Sequence, residues 1–156
     1  MLHFTAAAGF DEGTAELLRR GAQINVQQPV VGATPIYFAA MAGHVSSVGQ
    51  LIDAKADLNI ADKHGVSPLM QAARHGWVSV VRRLLDAGAL TEQQDSSGQT
   101  VFAHARVNSR RTVSNLLAGA LRKQRSSRRA HAASCDEGSR GQTQQSCRSS
   151  SKQRSV

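Results

Sequence analysis

The chain has 156 residues, 40% of them hydrophobic but only 4% aromatic, and its formal net charge is +8. That length suits one domain with an extension, and no apolar run reaches the roughly 18 residues that a membrane-spanning helix needs. The start lacks the basic region of a secretory signal and meets Asp11 and Glu12 almost at once, so we expect an intracellular protein.

The positive charge is concentrated at one end of the sequence. Residues 1–121 carry ten basic and nine acidic side chains, whereas residues 122–156 carry nine basic and two acidic ones. Both cysteines, Cys135 and Cys147, lie in the second part, so the first can hold no internal disulfide, and their spacing indicates no metal site. The sequence therefore predicts a nearly neutral folded domain over residues 1–121 and a basic tail over residues 122–156.

A repeat organises the folded domain. Gly32, Gly65 and Gly98 stand 33 residues apart, and the Ala39-Ala40 pair returns at the same distance as Ala72-Ala73. An earlier copy begins at Leu2-His3-Phe4, which makes four registers of one pattern. A period of this length is typical of repeat solenoids, in which each unit buries its apolar face against its neighbours.

The first half of each unit predicts a helix. Thr34-Pro35 and Ser67-Pro68 favour a helix start, because the hydroxyl can cap free N–H groups and proline suits the first turn. Gly43 and Gly76 then favour a helix end, since glycine adopts the left-handed conformation at little cost.

The second half of each unit predicts another helix with one apolar stripe. In the two middle units that stripe consists of Val48, Leu51, Ile52, Val81, Leu84 and Leu85. Gly21 and Gly88 favour the end of this helix, and Lys55 stands at the matching position between them, so we expect Lys55 to have a positive φ. The polar stretches 25–32, 59–65 and 91–98 predict turns between units.

These motifs resemble those of the ankyrin-repeat family. The series Gly, Thr-Pro, Ala-Ala, Gly-His and Leu-Leu, with Asp57-Leu58-Asn59 after Ala56, covers about residues 1–121. The resemblance implies an all-α helix-turn-helix solenoid of about four units, two of them full and the two terminal ones irregular, with projecting hairpin loops and a surface that binds other proteins.

The terminal units depart from the pattern. The first lacks its hairpin, which predicts either an incomplete cap or a fragment of a larger repeat protein. In the last unit Val101 replaces proline, and polar residues are expected on its outside, as on a terminal cap: Asn108, Arg110, Arg111 and Asn115.

The sequence contains no pattern that indicates catalysis. It has no Gly-rich phosphate loop, no Gly-x-Ser-x-Gly and no His-Glu-x-x-His, so we expect no enzyme activity, no cofactor and no metal site. By the resemblance, His3 is expected to form a hydrogen bond between neighbouring loops, and repeat position explains His44. His64 and His75 leave surface binding and plain solvation open.

The resemblance also implies which residues bind a protein partner on the concave face of the stack. Hairpin tips and inner-helix ends line that face, and the expected residues are Gln27, Gln28, Val30, Val31, Ala33, Met41, Ala42, Lys63, His64, Val66, Arg74, His75, Trp77, Ser96, Ser97 and Gln99. Trp77 stands out because it is the only tryptophan and because Trp and Arg are enriched in binding hot spots. The alternative is that Trp77 packs over its own helix start.

The tail predicts disorder, because residues 122–156 contain no Leu, Ile, Met, Phe, Trp or Tyr. Adjacent Arg and Ser residues, as at Arg125-Ser126, are candidate phosphorylation sites. Arg110-Arg111 and, after ten intervening residues, the cluster Arg122-Lys123-Gln124-Arg125 fit a two-part nuclear-import pattern. Any nucleic-acid binding by the tail should be weak and steeply salt-dependent.

Two functions follow from these observations. The first is a non-enzymatic scaffold or adaptor, expected as a monomer in the cytoplasm or the nucleus, that binds a protein on the concave face of the repeats. The second is a tail-driven, non-specific binder of nucleic acid or acidic surfaces, in which the repeats serve as a spacer.

Overall fold

The computed structural model describes residues 1–106 and 111–139, and of residues 128–139 it describes the backbone alone. Within these ranges the chain forms eight helices and no strand: α1 Leu2–Ala8, α2 Asp11–Arg19, α3 Pro35–Ala42, α4 Val45–Asp53, α5 Pro68–His75, α6 Val78–Asp86, α7 Val101–Arg106 and α8 Arg111–Ser139. The all-α prediction is confirmed, and the helices follow one another as four helix-turn-helix pairs.

The helix pairs stack in two layers. The first helices of successive units pack on one another, α1 on α3, α3 on α5 and α5 on α7, and the second helices do the same from α2 to α6. We call these the inner and the outer helices. The core lies between the layers. It contains Leu2, Ile36, Leu69 and Val101 of the inner helices, each at most 3% exposed, and, from α4, α6 and α8, Val48, Leu51, Val81, Leu84, Val113 and Leu117, each fully buried. Burying each such side chain stabilises the stack by about 1.5–3 kcal/mol.

The helix ends follow the sequence pattern with one exception. Gly43 and Gly76 end α3 and α5 with φ of 86° and 75°. Lys55 has a φ of 68°, the only positive value at a described residue other than glycine, as its position predicts. The Ser67 hydroxyl accepts a hydrogen bond from the Met70 N–H, but the Thr34 hydroxyl is buried and caps nothing, so the expected side-chain cap is wrong for α3.

Hydrogen bonds between hairpins keep the units in register. The Lys63 N–H donates to the Val31 carbonyl at 3.0 Å, and one unit later the Ser96 N–H donates to the His64 carbonyl at 2.8 Å. Nearer the outer helices, the side-chain oxygens of Asn25 and Asn59 each accept an N–H from the next hairpin at 2.9 Å. The spacing of the hairpin tips is therefore set by backbone bonds.

The last helix continues beyond the repeats. The chain divides into a unit Met1–Leu121 and a second unit that begins at Arg122, and the backbone of α8 runs through this boundary to Ser139. The segment from Arg122 to Ser134 has no Gly or Pro and contains Ala, Arg, Lys and Gln, all good helix formers. This segment contains no large apolar side chain, and the prediction of disorder rests on that feature. The expected features at Asn108, Arg110 and Cys147 lie outside the described residues.

A candidate protein-binding face

Two aspartates shape the hairpin tips. One carboxylate oxygen of Asp62 accepts the N–H groups of His64 and Val66, each at 2.9 Å. In the next unit the equivalent Asp95 accepts those of Ser97 and Gln99, also at 2.9 Å. Acidic side chains suit such turns because they hydrogen-bond the backbone two residues on.

In the first hairpin a residue other than an aspartate accepts the backbone N–H of the turn. Pro29 stands at the equivalent position, and the side-chain oxygen of the preceding Gln28 accepts the Val31 N–H at 2.7 Å instead. Gln28 is consequently half-buried and engaged within its own turn. Its neighbours Gln27 and Val30 are exposed.

A buried polar contact fixes the second hairpin to the preceding helix. The Tyr37 hydroxyl donates to the other carboxylate oxygen of Asp62 at 2.8 Å and accepts the amide N–H of Gln71 at 2.6 Å. Burial raises the pKa of Tyr37 to about 12, and the hydrogen bond from Gln71 opposes that rise. These residues position the tip that carries Lys63 and His64.

The third hairpin is held from within its own unit. A ring nitrogen of His104 lies 2.9 Å from the second carboxylate oxygen of Asp95. The pKa of Asp95 is below its ordinary value, first because of the hydrogen bond from the Gln99 backbone and also because of His104.

Sequence reasoning missed Tyr37, Gln71 and His104 as supports of the hairpins. The recurring acid at Asp62 and Asp95, one repeat apart, is the signal that could have found them. A carboxylate that turns into the fold, as at these two hairpins, needs donors besides the backbone.

Most of the expected partner-binding residues reach the surface. The exposed ones are Gln27, Val30, Lys63, His64, Arg74, His75, Trp77, Ser96, Ser97 and Gln99, and the half-buried ones are Gln28, Val31, Met41, Ala42 and Val66. Ala33 is 0% exposed, so the structure excludes its side chain from any surface contact; it lies in the core beneath the first hairpin. We call the exposed and half-buried set, without Ala33, the inner face.

Trp77 joins two units of the inner face. Its indole N–H donates to the Met41 carbonyl at 3.0 Å, and a Cβ on Gly43 would fall 2.7 Å from its ring. The ring therefore packs on the end of α3, in the preceding unit, rather than on its own helix start. His44 covers Gly9 in the same way one unit earlier. Trp77 remains 42% exposed, so part of its ring faces solvent.

Arg74 lies in the last turn of α5, three residues after Gln71, whose side chain contacts the Tyr37 hydroxyl. Its positive charge opposes the rise that burial causes in the pKa of Tyr37, as the smallest of several influences. His75 follows on the same helix, where a ring nitrogen lies 3.1 Å from the Gln71 carbonyl.

His3 has the role that its repeat position predicts. A ring nitrogen lies 2.8 Å from the Val26 carbonyl, a contact between the first helix and the next hairpin. Across the residues that the structure describes, no group of three His, Cys, Asp or Glu side chains could hold a metal ion. In the same residues no helix is long and apolar enough to cross a membrane.

The stacked helix pairs and their hydrogen-bonded hairpins define a helical repeat solenoid. A family model described as ankyrin repeats, with three copies, matches residues 2–95 and again residues 48–126, and the chain belongs to this ankyrin-repeat family. No curated protein matches the sequence. Ankyrin repeats are generally protein–protein interaction modules, and the family is typically non-enzymatic.

Proposed function

We propose that the protein is a non-enzymatic scaffold or adaptor that binds a protein partner on its inner face. The observation that carries this proposal is the hydrogen-bonded ladder of hairpins. Backbone hydrogen bonds connect Val31 to Lys63 and His64 to Ser96. Lys63, His64 and Ser96 are themselves exposed to solvent. A surface held rigid before binding loses less conformational entropy when a partner docks.

Photo-crosslinking in cells tests this proposal. A photoreactive amino acid is placed at His64 or Ser97 on the hairpin tips. The matched controls carry it at Ser46 or Ser79 on the outer helices, and all four positions are exposed. We expect the same protein adduct from both tip positions, weaker or absent from both outer positions, and suppressed by an excess of the unmodified chain. Adducts confined to the outer positions, or none at the tips, would contradict the proposal.

The charge of residues 122–156 supports the second function, a tail-driven binder of nucleic acid or acidic surfaces. A labelled single-stranded oligonucleotide distinguishes it, because binding through phosphates weakens steeply with salt. Replacement of tail arginines by glutamine, for example at Arg122, Arg125, Arg128 and Arg129, should abolish such binding and leave the crosslinks of the hairpin tips unchanged. If those crosslinks disappear as well, the tail and not the inner face recruits the partner.

A further inference from the structure

The acidic side chains of the helices in the unit Met1–Leu121 all lie in the outer layer. They are Asp11, Glu12, Glu16, Asp53 and Asp86, in α2, α4 and α6. The inner helices α1, α3, α5 and α7 contain no Asp or Glu. Basic side chains occur in both layers: Arg74 and Arg106 in the inner helices, and Arg19, Arg82 and Arg83 in α2 and α6. The separation between the layers thus lies in the acids, and it makes the inner helices the more positive ones.

The acids of the hairpins do not reverse this separation. Asp57 and Glu92 lie at the hairpin bases, close to the ends of α4 and α6. Asp62 and Asp95 lie in the turns, where backbone N–H groups occupy one oxygen and Tyr37 or His104 contacts the other. The carboxylate oxygens of Asp62 and Asp95 are thus occupied by partners within the fold.

The third unit carries two exposed cations, Lys63 on its hairpin tip and Arg74 in the last turn of its inner helix α5. Lys63 is exposed, and its ammonium donates to the Pro29 carbonyl at 2.7 Å, which holds the charge beside the preceding hairpin. Arg74 is exposed in the last turn of α5, three residues after Gln71, whose side chain contacts Tyr37. Exposed basic charge is thus present both at the hairpin tip and in the last turn of the inner helix of the third unit.

Apolar surface accompanies these cations. Val30 is 75% exposed on the preceding hairpin tip, and Trp77 is 42% exposed beside the half-buried Met41. The N–H of the Trp77 indole is already used by the Met41 carbonyl, so the exposed part of the ring offers mainly apolar contact. A matching ligand needs both negative charge and a hydrophobic side chain.

We propose that this part of the inner face, formed by Val30, Lys63, Arg74 and Trp77, binds an acidic protein segment: a stretch rich in Asp and Glu that also carries an apolar side chain. The inference rests on the proposed function and specifies the chemistry of its partner. Complementary charge directs such a segment to this face and excludes basic competitors. A nucleic acid fits less well, because one tryptophan and two permanent cations supply neither a row of stacking platforms nor many phosphate contacts.

Selection from a displayed library of random peptides on the immobilised full chain tests this inference. We expect the selected peptides to be enriched in Asp and Glu and to share an apolar residue. The double variant Lys63→Glu/Arg74→Glu should weaken a selected peptide by on the order of tenfold. Lys63→Gln/Arg74→Gln should produce a smaller loss, and circular dichroism should show both variants folded.

The matched control is Arg82→Glu/Arg111→Glu, which changes the net charge equally at exposed residues of α6 and α8. It should alter peptide affinity by less than about twofold at physiological salt. Peptides that are neutral or basic, or acidic peptides that are indifferent to the Lys63/Arg74 reversal, would overturn the inference. Selection of no peptide, or oligonucleotide binding that depends on Lys63 and Arg74, would overturn it as well. The tip crosslinks test the proposed function independently of all these outcomes.

Discussion

The indole N–H of Trp77 donates to the carbonyl of Met41 at 3.0 Å and so ties the third repeat unit to the last turn of the inner helix before it. Substitution of Trp77 by alanine removes this bond and the ring that covers Gly43. We expect the free energy of unfolding to fall by about 1–3 kcal/mol, measured by urea denaturation followed by circular dichroism. Trp77→Phe keeps an aromatic ring without the donor and should cost about 1 kcal/mol. Equal losses for the two variants would assign the whole effect to the hydrogen bond.

The contact between Trp77 and Gly43 predicts a coupling that a double-mutant cycle can measure. Gly43→Ala places a Cβ at a φ of 86° and within 2.7 Å of the indole. Gly88→Ala has a comparable φ of 94° with nothing within 4 Å, so it reports the backbone strain alone. That strain is about 1–2 kcal/mol, and Gly43→Ala should cost at least about 1 kcal/mol more. In a Trp77→Ala background this excess should vanish; if it persists, the alanine meets another obstacle.

The sequence predicts the helix pairs well because their determinants are local. The prolines at 35 and 68 and the glycines at 43 and 76 act within one turn, so the repeat spacing alone locates the helices. Lys55 is also predicted correctly, since the glycines of the neighbouring units define its position. His3 is predicted correctly because the resemblance to the ankyrin-repeat family assigns its hydrogen bond. The contacts that position the inner face are not local: Tyr37 meets Asp62 across 25 residues and Gln71 across 34. Their partners depend on how units stack, as does the burial of Ala33, and one sequence does not determine that register.

The single tyrosine of the chain makes the buried network directly observable. The pKa of Tyr37 is raised to about 12 in the folded protein, whereas an unfolded tyrosine ionises near pH 10. Stabilisation from the neutral phenol is thus complete below pH ~10 and is lost as the pH rises towards the folded-state pKa. A titration of tyrosinate absorbance should show late ionisation in the native protein and ordinary ionisation in urea. Coincident titrations would show that the hydroxyl is not buried beside Asp62.

Acid should weaken the third hairpin through Asp95. Its pKa in the folded protein lies below the ordinary value of 3.8, so the ionised carboxylate contributes stability above that value, and the contribution is lost as the pH falls through the folded-state pKa. Asp95→Asn removes the charge and should flatten the dependence of the urea midpoint on acid pH. Asp53→Asn, at an exposed position at the end of α4, is the matched control. An unchanged slope in Asp95→Asn would mean that other carboxylates account for the acid response.

Lys55 offers a route to stabilise the protein without altering its inner face. It adopts a φ of 68° after α4, at the position where Gly21 and Gly88 end the neighbouring outer helices. A left-handed conformation costs a residue with a Cβ roughly 1–2 kcal/mol. Glycine avoids this cost, but it also increases the entropy of the unfolded chain, which offsets part of the gain in stability. Lys55→Gly should therefore raise the free energy of unfolding by up to about 1 kcal/mol, and Lys55→Asn by less, because asparagine tolerates this region better than lysine. The reverse change, Gly88→Lys, should destabilise by a comparable amount, since nothing lies near its Cβ position to add a clash. If Lys55→Gly destabilises instead, the aliphatic stem of the lysine must pack usefully against the repeats, and its loss must outweigh the relief of strain.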